Sequence, residues 1–235
     1  MEIKFIGTGG AFDMDYGNSA AIVHCNGKNI LVDCGHTVFP KLLKLNLIKD
    51  IDYILITHLH DDHVGSLSTL IFYCYFYLPN KKAKIIVPIK FQEELINFLN
   101  FSQKNVLNFA SFEELPEYIT PIDTYQKHYP EMQTYGYVFT ENKKHFVYSG
   151  DLNDVSFLIN ELKTLNLDGK IILFQDISFN ELAKSAHAYY KEVENYLTEY
   201  EIWGYHCNPN LKPQDCKIPL VIENPLFFLY ENSNY

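Results

Sequence analysis

One short segment, residues 58–63, constrains this chain more than any other, because it places three imidazoles and two carboxylates directly after an apolar run. The run, residues 51–56, is short and rich in β-branched side chains, which predicts a buried strand. Imidazole nitrogens and carboxylate oxygens at a strand end suit zinc and similar metals. The alternative is a surface loop that is rich in histidine by chance. The HxHxDH spacing rarely arises that way, so a metal site is the favoured interpretation.

The same pattern is the signature of the metallo-β-lactamase superfamily, which the chain resembles from Gly7 to His206. The resemblance implies two metal-binding sets joined by one bridging carboxylate. The matching residues are His58, His60 and His128 for one metal, Asp62, His63 and His206 for the other, and Asp151 as the bridge. It also implies two Zn²⁺ ions as cofactors, with Mn²⁺ or another divalent metal as alternatives.

Strand and helix signals alternate along both halves of the chain, which predicts an α/β fold. With the family resemblance, this alternation predicts an αββα sandwich of two mixed sheets with helices outside. The predicted elements include a strand over 118–128 and helices over 38–47, 67–78 and 188–200. A composition of 47% hydrophobic and 20% charged residues is typical of a folded protein. We expect a single domain over residues 1–235.

Asp33 stands at a predicted strand end ahead of the histidine-rich segment. One interpretation is a carboxylate that orients a metal-bound imidazole, as metal-site histidines usually require. The family's equivalent aspartate usually has that role, so we favour this interpretation. The alternative is a cap on the helix predicted to begin near Thr37.

The net charge and the cysteine content limit which binding partners and which cellular compartment we expect. The net charge is −10 and the short clusters at 81–84 and 143–144 are the main lysine groups, so we expect no extended nucleic-acid partner. An odd number of cysteines without CxxC spacing favours reduced thiols. No 18-residue apolar span and no signal peptide are apparent, so we expect no membrane association and a cytoplasmic location, in the host if the gene is a phage's.

The full ligand set resembles the phosphodiesterase and tRNA 3′-processing branch of the superfamily. In that branch a histidine on a loop before the last helix protonates the leaving oxygen, and His187 within residues 185–188 matches it. The resemblance therefore assigns His187 and Asp62 to the catalytic set. The alternative for His187 is an exposed histidine that caps a helix.

The interval between His128 and Asp151 is too short for the long arm with which tRNA-processing enzymes grip their substrate. Among the relatives that lack this arm, the chain most resembles the anti-Pycsar proteins. The matching segments are Gly7-Thr8-Gly9-Gly10-Ala11-Phe12, Gly17-Asn18-Ser19-Ala20 and Asp33-Cys34-Gly35-His36-Thr37. That resemblance implies a homodimeric enzyme that hydrolyses 3′,5′-cyclic mononucleotides to nucleoside monophosphates and so evades cyclic-nucleotide immune signalling. The alternatives are a tRNA 3′-processing endoribonuclease or other small phosphodiesterase, and a non-catalytic protein that sequesters a nucleotide.

Five aromatic residues crowd into positions 72–77 of the helix predicted over 67–78. Aromatic residues at helical spacing usually belong to a core, but five in six positions cannot share one face of a helix. We therefore expect some of them to form either a dimer seam or a base-stacking wall beside the metal cleft.

Overall fold

The computed structural model describes residues 1–79, 81–183 and 186–229, with Gln103 and Ala183 described by their backbone alone. Within these residues, the first sheet has its strands in sequence order. They are β1 (Glu2–Gly7), β2 (Ala20–Cys25), β3 (Lys28–Val32), β4 (Tyr53–Leu55), β5 (Ala83–Ile86) and β6 (Ala110–Glu113). Strands β1 to β3 pair antiparallel, whereas β3 to β6 pair parallel.

The second sheet has the order β11-β10-β9-β8-β7. Its strands are β7 (Ile119–Asp123), β8 (Tyr135–Glu141), β9 (Lys144–Tyr148), β10 (Lys170–Asp176) and β11 (Glu201–Tyr205). Strands β7 to β9 pair antiparallel and β9 to β11 pair parallel, so each sheet passes from antiparallel to parallel pairing along its length.

Helices connect the parallel strands, as parallel pairing requires long crossovers. They are α1 (Val38–Lys44), α2 (Asp61–Val64), α3 (Leu67–Tyr77), α4 (Ile89–Gln103), α5 (Val155–Thr164) and α6 (Tyr190–Val193). None of the helices in the described part of the chain has the length and apolar character needed to cross a membrane.

The main core lies between the two sheets. Side chains alternate along each strand between this core and the opposite face of the sheet. Phe5 of β1 contacts the rings of Tyr148, Phe174 and Tyr205 of the second sheet, with centroids 5.3–5.8 Å apart. On β9 the neighbouring Val147 belongs instead to a second apolar cluster with the buried side of α5. Side chains that alternate between two apolar environments are expected of a sheet covered on both faces. The αββα sandwich predicted from the sequence is therefore confirmed.

Two predicted elements are much shorter than expected, whereas the helix predicted over 38–47 ends only three residues early, at Lys44. The strand predicted over 118–128 ends at Asp123, because Gln126 adopts a positive φ of 63° within a turn closed by the Lys127 N–H and the Thr124 carbonyl. The helix predicted over 188–200 reduces to α6 and a 3₁₀ turn, Glu194–Tyr196. Its first residues pair with Ser178 instead: the Ser178 N–H donates to Ala188 at 2.8 Å and the Tyr190 N–H to Ser178 at 3.0 Å.

Candidate metal centre

The predicted ligands converge because they follow strands that end at the same edges of the two sheets. His58 comes shortly after β4. Asp151 comes shortly after β9, and His206 directly follows β11. The carboxyl ends of parallel strands share one edge of a sheet, where loops can present side chains to a common point. His128 joins them from the loop between β7 and β8, not from a strand as predicted.

The first donor set consists of three imidazoles that face one another. His58 Nε2 lies 3.1 Å from His60 Nδ1, which lies 2.9 Å from His128 Nε2. Together with Asp151, their donor atoms all lie within 4.8 Å of one another. Burial and then the neighbouring His63 hold the pKa of His58 well below its usual range. His58 is therefore neutral, the state that binds metal.

The second donor set combines carboxylates with imidazoles. His63 Nε2 lies 3.3 Å from both Asp62 Oδ2 and Asp151 Oδ1. His206 Nε2 lies 3.2 Å from Asp62 Oδ2 and 3.5 Å from Asp151 Oδ2. The four donor atoms again fall within 4.8 Å of one another. A mixed N and O set of this kind suits zinc and related divalent ions.

Asp151 belongs to both sets, and its surroundings fit a cation. Its Oδ1 atom and His63 Nε2 are buried and have no hydrogen-bond partner among the described residues. Buried polar atoms without partners are rare and costly, so two of them only 3.3 Å apart fit donors to a cation. Burial opposes ionisation of Asp151, but the nearby imidazoles, first His206 and then His63, outweigh burial and lower its pKa well below the usual range.

Asp33 and Thr57 contact the Nδ1 atoms of His63 and His58 and so orient these two imidazoles. Asp33 Oδ2 accepts a hydrogen bond from His63 Nδ1 at 2.8 Å, and its carboxylate also accepts from Thr57. The Thr57 hydroxyl in turn lies 2.9 Å from His58 Nδ1. These contacts match the interpretation of Asp33 as an orienting carboxylate. The Asp33 carboxylate forms its hydrogen bonds within the site. At Thr37, the N-cap residue of α1, no side-chain capping hydrogen bond is found. The alternative in which Asp33 caps this helix therefore finds no support.

The loop that carries Asp33 is fastened to the histidine-rich segment by its backbone. Cys34 N–H donates to the carbonyl of His63 at 2.7 Å. At Gly35 a Cβ atom would collide with the carbonyl of Asp62, so this close approach requires glycine. On the other side, His128 Nδ1 donates to the carbonyl of Ala186 at 2.7 Å, which leaves Nε2 for the first donor set.

His187 lies beside both donor sets and is paired with a carboxylate that the sequence analysis missed. Its Nδ1 atom is 3.0 Å from Asp176 Oδ2, and its ring stacks on His206 with centroids 4.9 Å apart. Burial disfavours the charged imidazole, but Asp176 outweighs burial and raises the pKa of His187 to about 9. Asp176 is fixed by the N–H of Leu152 at 2.9 Å. Ser185, the first residue of the predicted motif, lies outside the described residues.

Asp176 could have been suspected, because it is a carboxylate that follows the short apolar run at 171–174, a pattern typical of a buried strand. The strand extends to Asp176 itself. A carboxylate at the carboxyl end of a parallel strand carries the same positional signal as Asp33.

A cleft of about 900 Å³ opens onto both donor sets. Phe12, Tyr129 and Phe179 line it, and Phe12 is 97% exposed. No lysine is among the described residues that line this cleft. No residue of α3 lines it either, so the interpretation of the aromatic helix as a base-stacking wall within this chain was wrong.

Two face-to-face mixed sheets with paired His and Asp donor sets at one edge define a metallo-β-lactamase-fold protein. The structure of the metallo-β-lactamase-fold protein YhfI from Bacillus subtilis has the same fold, with a TM-score of 0.66, 17% identity, and 87% of this chain and 85% of that one covered. The short form of human tRNase Z gives a TM-score of 0.64 at 16% identity, over 90% of this chain and 95% of that one.

Within that fold, residues 1–220 match the profile of the family described as anti-Pycsar protein Apyc1, and the chain belongs to this family. The anti-Pycsar protein Apyc1 of Bacillus phage BSP38 is 42% identical over 96 residues, which are 40% of this chain and 38% of that protein. The chain therefore matches well under half the length of this relative. The Apyc1 of Paenibacillus harenae is 28% identical over 167 residues, or 65% of this chain and 68% of that protein.

Proposed function

We propose that this protein is a metal-dependent phosphodiesterase that hydrolyses 3′,5′-cyclic mononucleotides to nucleoside monophosphates. The observation that carries the proposal is that two donor sets share Asp151 while His187, paired with the buried Asp176, lines the same cleft. Membership of the anti-Pycsar family supports the same substrate class.

The donor sets would hold two divalent metal ions, with zinc preferred. The ligands proposed for one are His58, His60, His128 and Asp151, and those for the other are Asp62, His63, His206 and Asp151. Bound metals supply Lewis acidity toward phosphoryl oxygens and lower the pKa of water that acts as nucleophile. Asp62, predicted to be catalytic, acts in this proposal as a ligand.

His187 acts as the general acid that protonates the departing ribose oxygen. Its Nδ1–H donates to Asp176, which leaves Nε2 as the atom able to give a proton to a bound substrate. Asp176 keeps the imidazole oriented and favours its protonated form, whereas bound cations would lower the pKa again toward neutrality. A pKa near the working pH is the best compromise for a general acid.

The cleft suits a small ligand of low charge. Its volume of about 900 Å³ falls within the range of small-molecule sites. The described lining contains no lysine, so the proposed metals would have to neutralise a bound phosphate. The single negative charge of a cyclic phosphodiester needs no further cation. Phe12, Tyr129 and Phe179 offer flat apolar surfaces for a base.

The test is a substrate panel on metal-loaded protein, with cyclic CMP, UMP, AMP and GMP against a precursor tRNA at matched salt. We expect catalytic efficiency on at least one cyclic nucleotide to exceed that on the tRNA by far, with the 5′- or 3′-monophosphate as product. Efficient tRNA cleavage with inert cyclic nucleotides would instead support an RNA-processing enzyme. Tight binding of intact cyclic nucleotides without turnover would support sequestration.

We also propose that the protein is a homodimer whose seam includes the exposed Phe76 and Tyr77 of α3. Leu70, Ile71 and Cys74 of this helix are buried, but Phe76 and Tyr77 remain 65% and 72% exposed. Large exposed aromatic patches usually mark interaction surfaces. Light scattering should give a dimer that Phe76→Glu dissociates, while Phe101→Glu, which changes an even more exposed phenylalanine on α4, serves as the control. A wild-type monomer at micromolar concentration would refute the seam.

Action in a bacterial cytoplasm, against cyclic-nucleotide immune signalling, follows from the same proposal. Cells that produce Pycsar-type cyclic nucleotides should lose that signal when this protein is expressed, and the His187→Ala variant should leave the signal intact. The single-domain organisation over residues 1–235 stays a prediction.

A further inference from the structure

A second concave surface lies at the opposite ends of the strands that carry the metal centre. The groove has a volume of about 630 Å³ and is bordered by the amino ends of β3, β4 and β5. Lysines dominate its rim: Lys28, Lys49, Lys81, Lys82 and Lys84. We call this surface the lysine groove. Three of the five come from the short basic cluster at 81–84 that stands out in the sequence and that the proposed catalysis does not use.

The lysine groove is positive in an otherwise acidic chain. Its five lysines are opposed by two lining carboxylates, Asp50 and Asp52, whereas the whole chain carries a net charge of −10. Asp52 pairs with Lys28 at 3.2 Å. A locally positive concave surface attracts anions, and its concavity strengthens the field.

The lysines divide into a structural part and an available part. Lys81 donates to the carbonyls of Ile48 and Lys49 at 3.0 and 2.7 Å. Its ammonium therefore stabilises the 3₁₀ turn that begins at Ile48. Lys82 donates at 3.3 Å to the carbonyl of Leu107, an uncharged partner that leaves its positive charge uncompensated. Lys84 is 3.2 Å from Glu113 and also lies over the ring of Tyr53.

Two tyrosines give the groove flat apolar surfaces. Tyr53, the first residue of β4, lines it, and so does Tyr75 of α3, which is 44% exposed. An aromatic ring beside a positive cluster can stack on a base while the lysines contact phosphate oxygens. A bare phosphate would use only part of such a surface.

We propose that the lysine groove is a non-catalytic binding site for a nucleoside phosphate that carries two or more negative charges. The charge requirement follows from Lys49 and Lys82, the two groove lysines with no carboxylate partner among the described residues. The nucleoside requirement follows from Tyr53 and Tyr75. Cyclic mononucleotides, with a single negative charge, bind there weakly. The inference does not rest on the proposed catalytic activity, because the groove shares no described residue with the metal cleft.

The test is an amide NMR titration of the metal-loaded protein with ADP, pyrophosphate and adenosine. We expect ADP to shift amides within residues 28, 49–53 and 81–84 and to bind more tightly than pyrophosphate, while adenosine causes no shift there. The double variant Lys49→Gln, Lys82→Gln should weaken ADP binding at these amides about tenfold or more, because two cations are lost. The matched control is Lys143→Gln, Lys163→Gln, which removes two lysines from other surfaces.

A further variant separates the base from the phosphate. Tyr75→Ala should reduce the affinity for ADP toward that for pyrophosphate and leave pyrophosphate binding unchanged. Shifts confined to cleft residues such as Ser178 or Asn208, or equal ADP affinity in the two double variants, would overturn the proposal. An unchanged spectrum outside the groove shows that each variant is folded. Cyclic nucleotide hydrolysis by the wild type is scored separately, so either proposal can fail alone.

Discussion

The two ends of strands β3 to β5 differ in how they are built. At the carboxyl ends, loops carry buried imidazoles and carboxylates whose positions are fixed by further hydrogen bonds, such as those of Asp33 to His63 and Thr57. At the amino ends, long lysines reach from the strands and turns into a surface groove, and their partners are mostly backbone carbonyls or single carboxylates.

This difference between the two ends of the strands determines what kind of site each end can form. Rigid, neutral or anionic donors at short range suit metal binding and chemistry, which need positions held within a fraction of an ångström. Flexible ammonium groups in water suit binding of a charged ligand without chemistry, since each contact is screened and adjustable. The same strands therefore support a proposed catalytic site at one end and a proposed binding site at the other.

The largest effect should come from the carboxylate that joins both donor sets. If the two proposed metals share Asp151, Asp151→Asn weakens oxygen donation to both, so we expect metal content to fall from near two equivalents and turnover to fall by about 10⁴-fold. Elemental analysis and turnover of the same preparation measure the two effects. An unaltered metal content in Asp151→Asn would break the assignment of the bridge.

His187→Ala should lower kcat by about 10²-fold while metal content stays intact, because a general acid acts in the transition state and not in the ligand set. Single-turnover rates with a cyclic nucleotide provide the measurement. Loss of metal in this variant would identify His187 as a ligand, and an unchanged kcat would remove it from the mechanism.

Asp176→Asn tests the partner of His187 through pH. The carboxylate raises the pKa of His187, and an acid that must be protonated loses activity as pH rises through its pKa. Removing the negative charge lowers that pKa, so the alkaline limb of the kcat profile should move to lower pH. The double variant with His187→Ala should show no such limb. A profile that does not move would mean that Asp176 acts only through packing.

Asp33→Asn should weaken metal affinity by about 10- to 100-fold without abolishing turnover at saturating metal, because the residue orients His63 without touching a metal. Competition with a coloured chelator measures the affinity. If activity at saturating metal were lost as completely as in Asp151→Asn, Asp33 would have a direct role.

The smallest effect sharpens the contrast between the two ends. Raising salt from about 50 to about 300 mM shortens the screening length, which weakens contacts between exposed charges most. We expect ADP binding in the lysine groove to weaken several-fold, whereas KM for a cyclic nucleotide changes by less than about twofold. Equal salt dependence of both would indicate that binding in the cleft also relies on exposed charges.

The sequence alone was sufficient wherever the residues of the site lie close together along the chain. His58, His60, Asp62 and His63 fall within six positions after a strand signal, so local backbone geometry already brings them to one end of a sheet. The two-sheet architecture was also predictable, because alternating strand and helix signals leave few arrangements that cover both faces of a parallel sheet.

The tertiary structure decided what depends on residues distant in sequence. Asp176 meets His187 only because β10 continues to the edge where the loop before α6 returns. Likewise, the lysine groove exists only because parallel pairing aligns the starts of β3 and β5 on either side of Tyr53. Lysines scattered along a sequence look like an ordinary solvated surface, and pairing across strands is a long-range choice that no local periodicity encodes. The proposed metal ligands within residues 58–63 were therefore predictable from the sequence, whereas the pairing of Asp176 with His187 and the lysine groove required the fold.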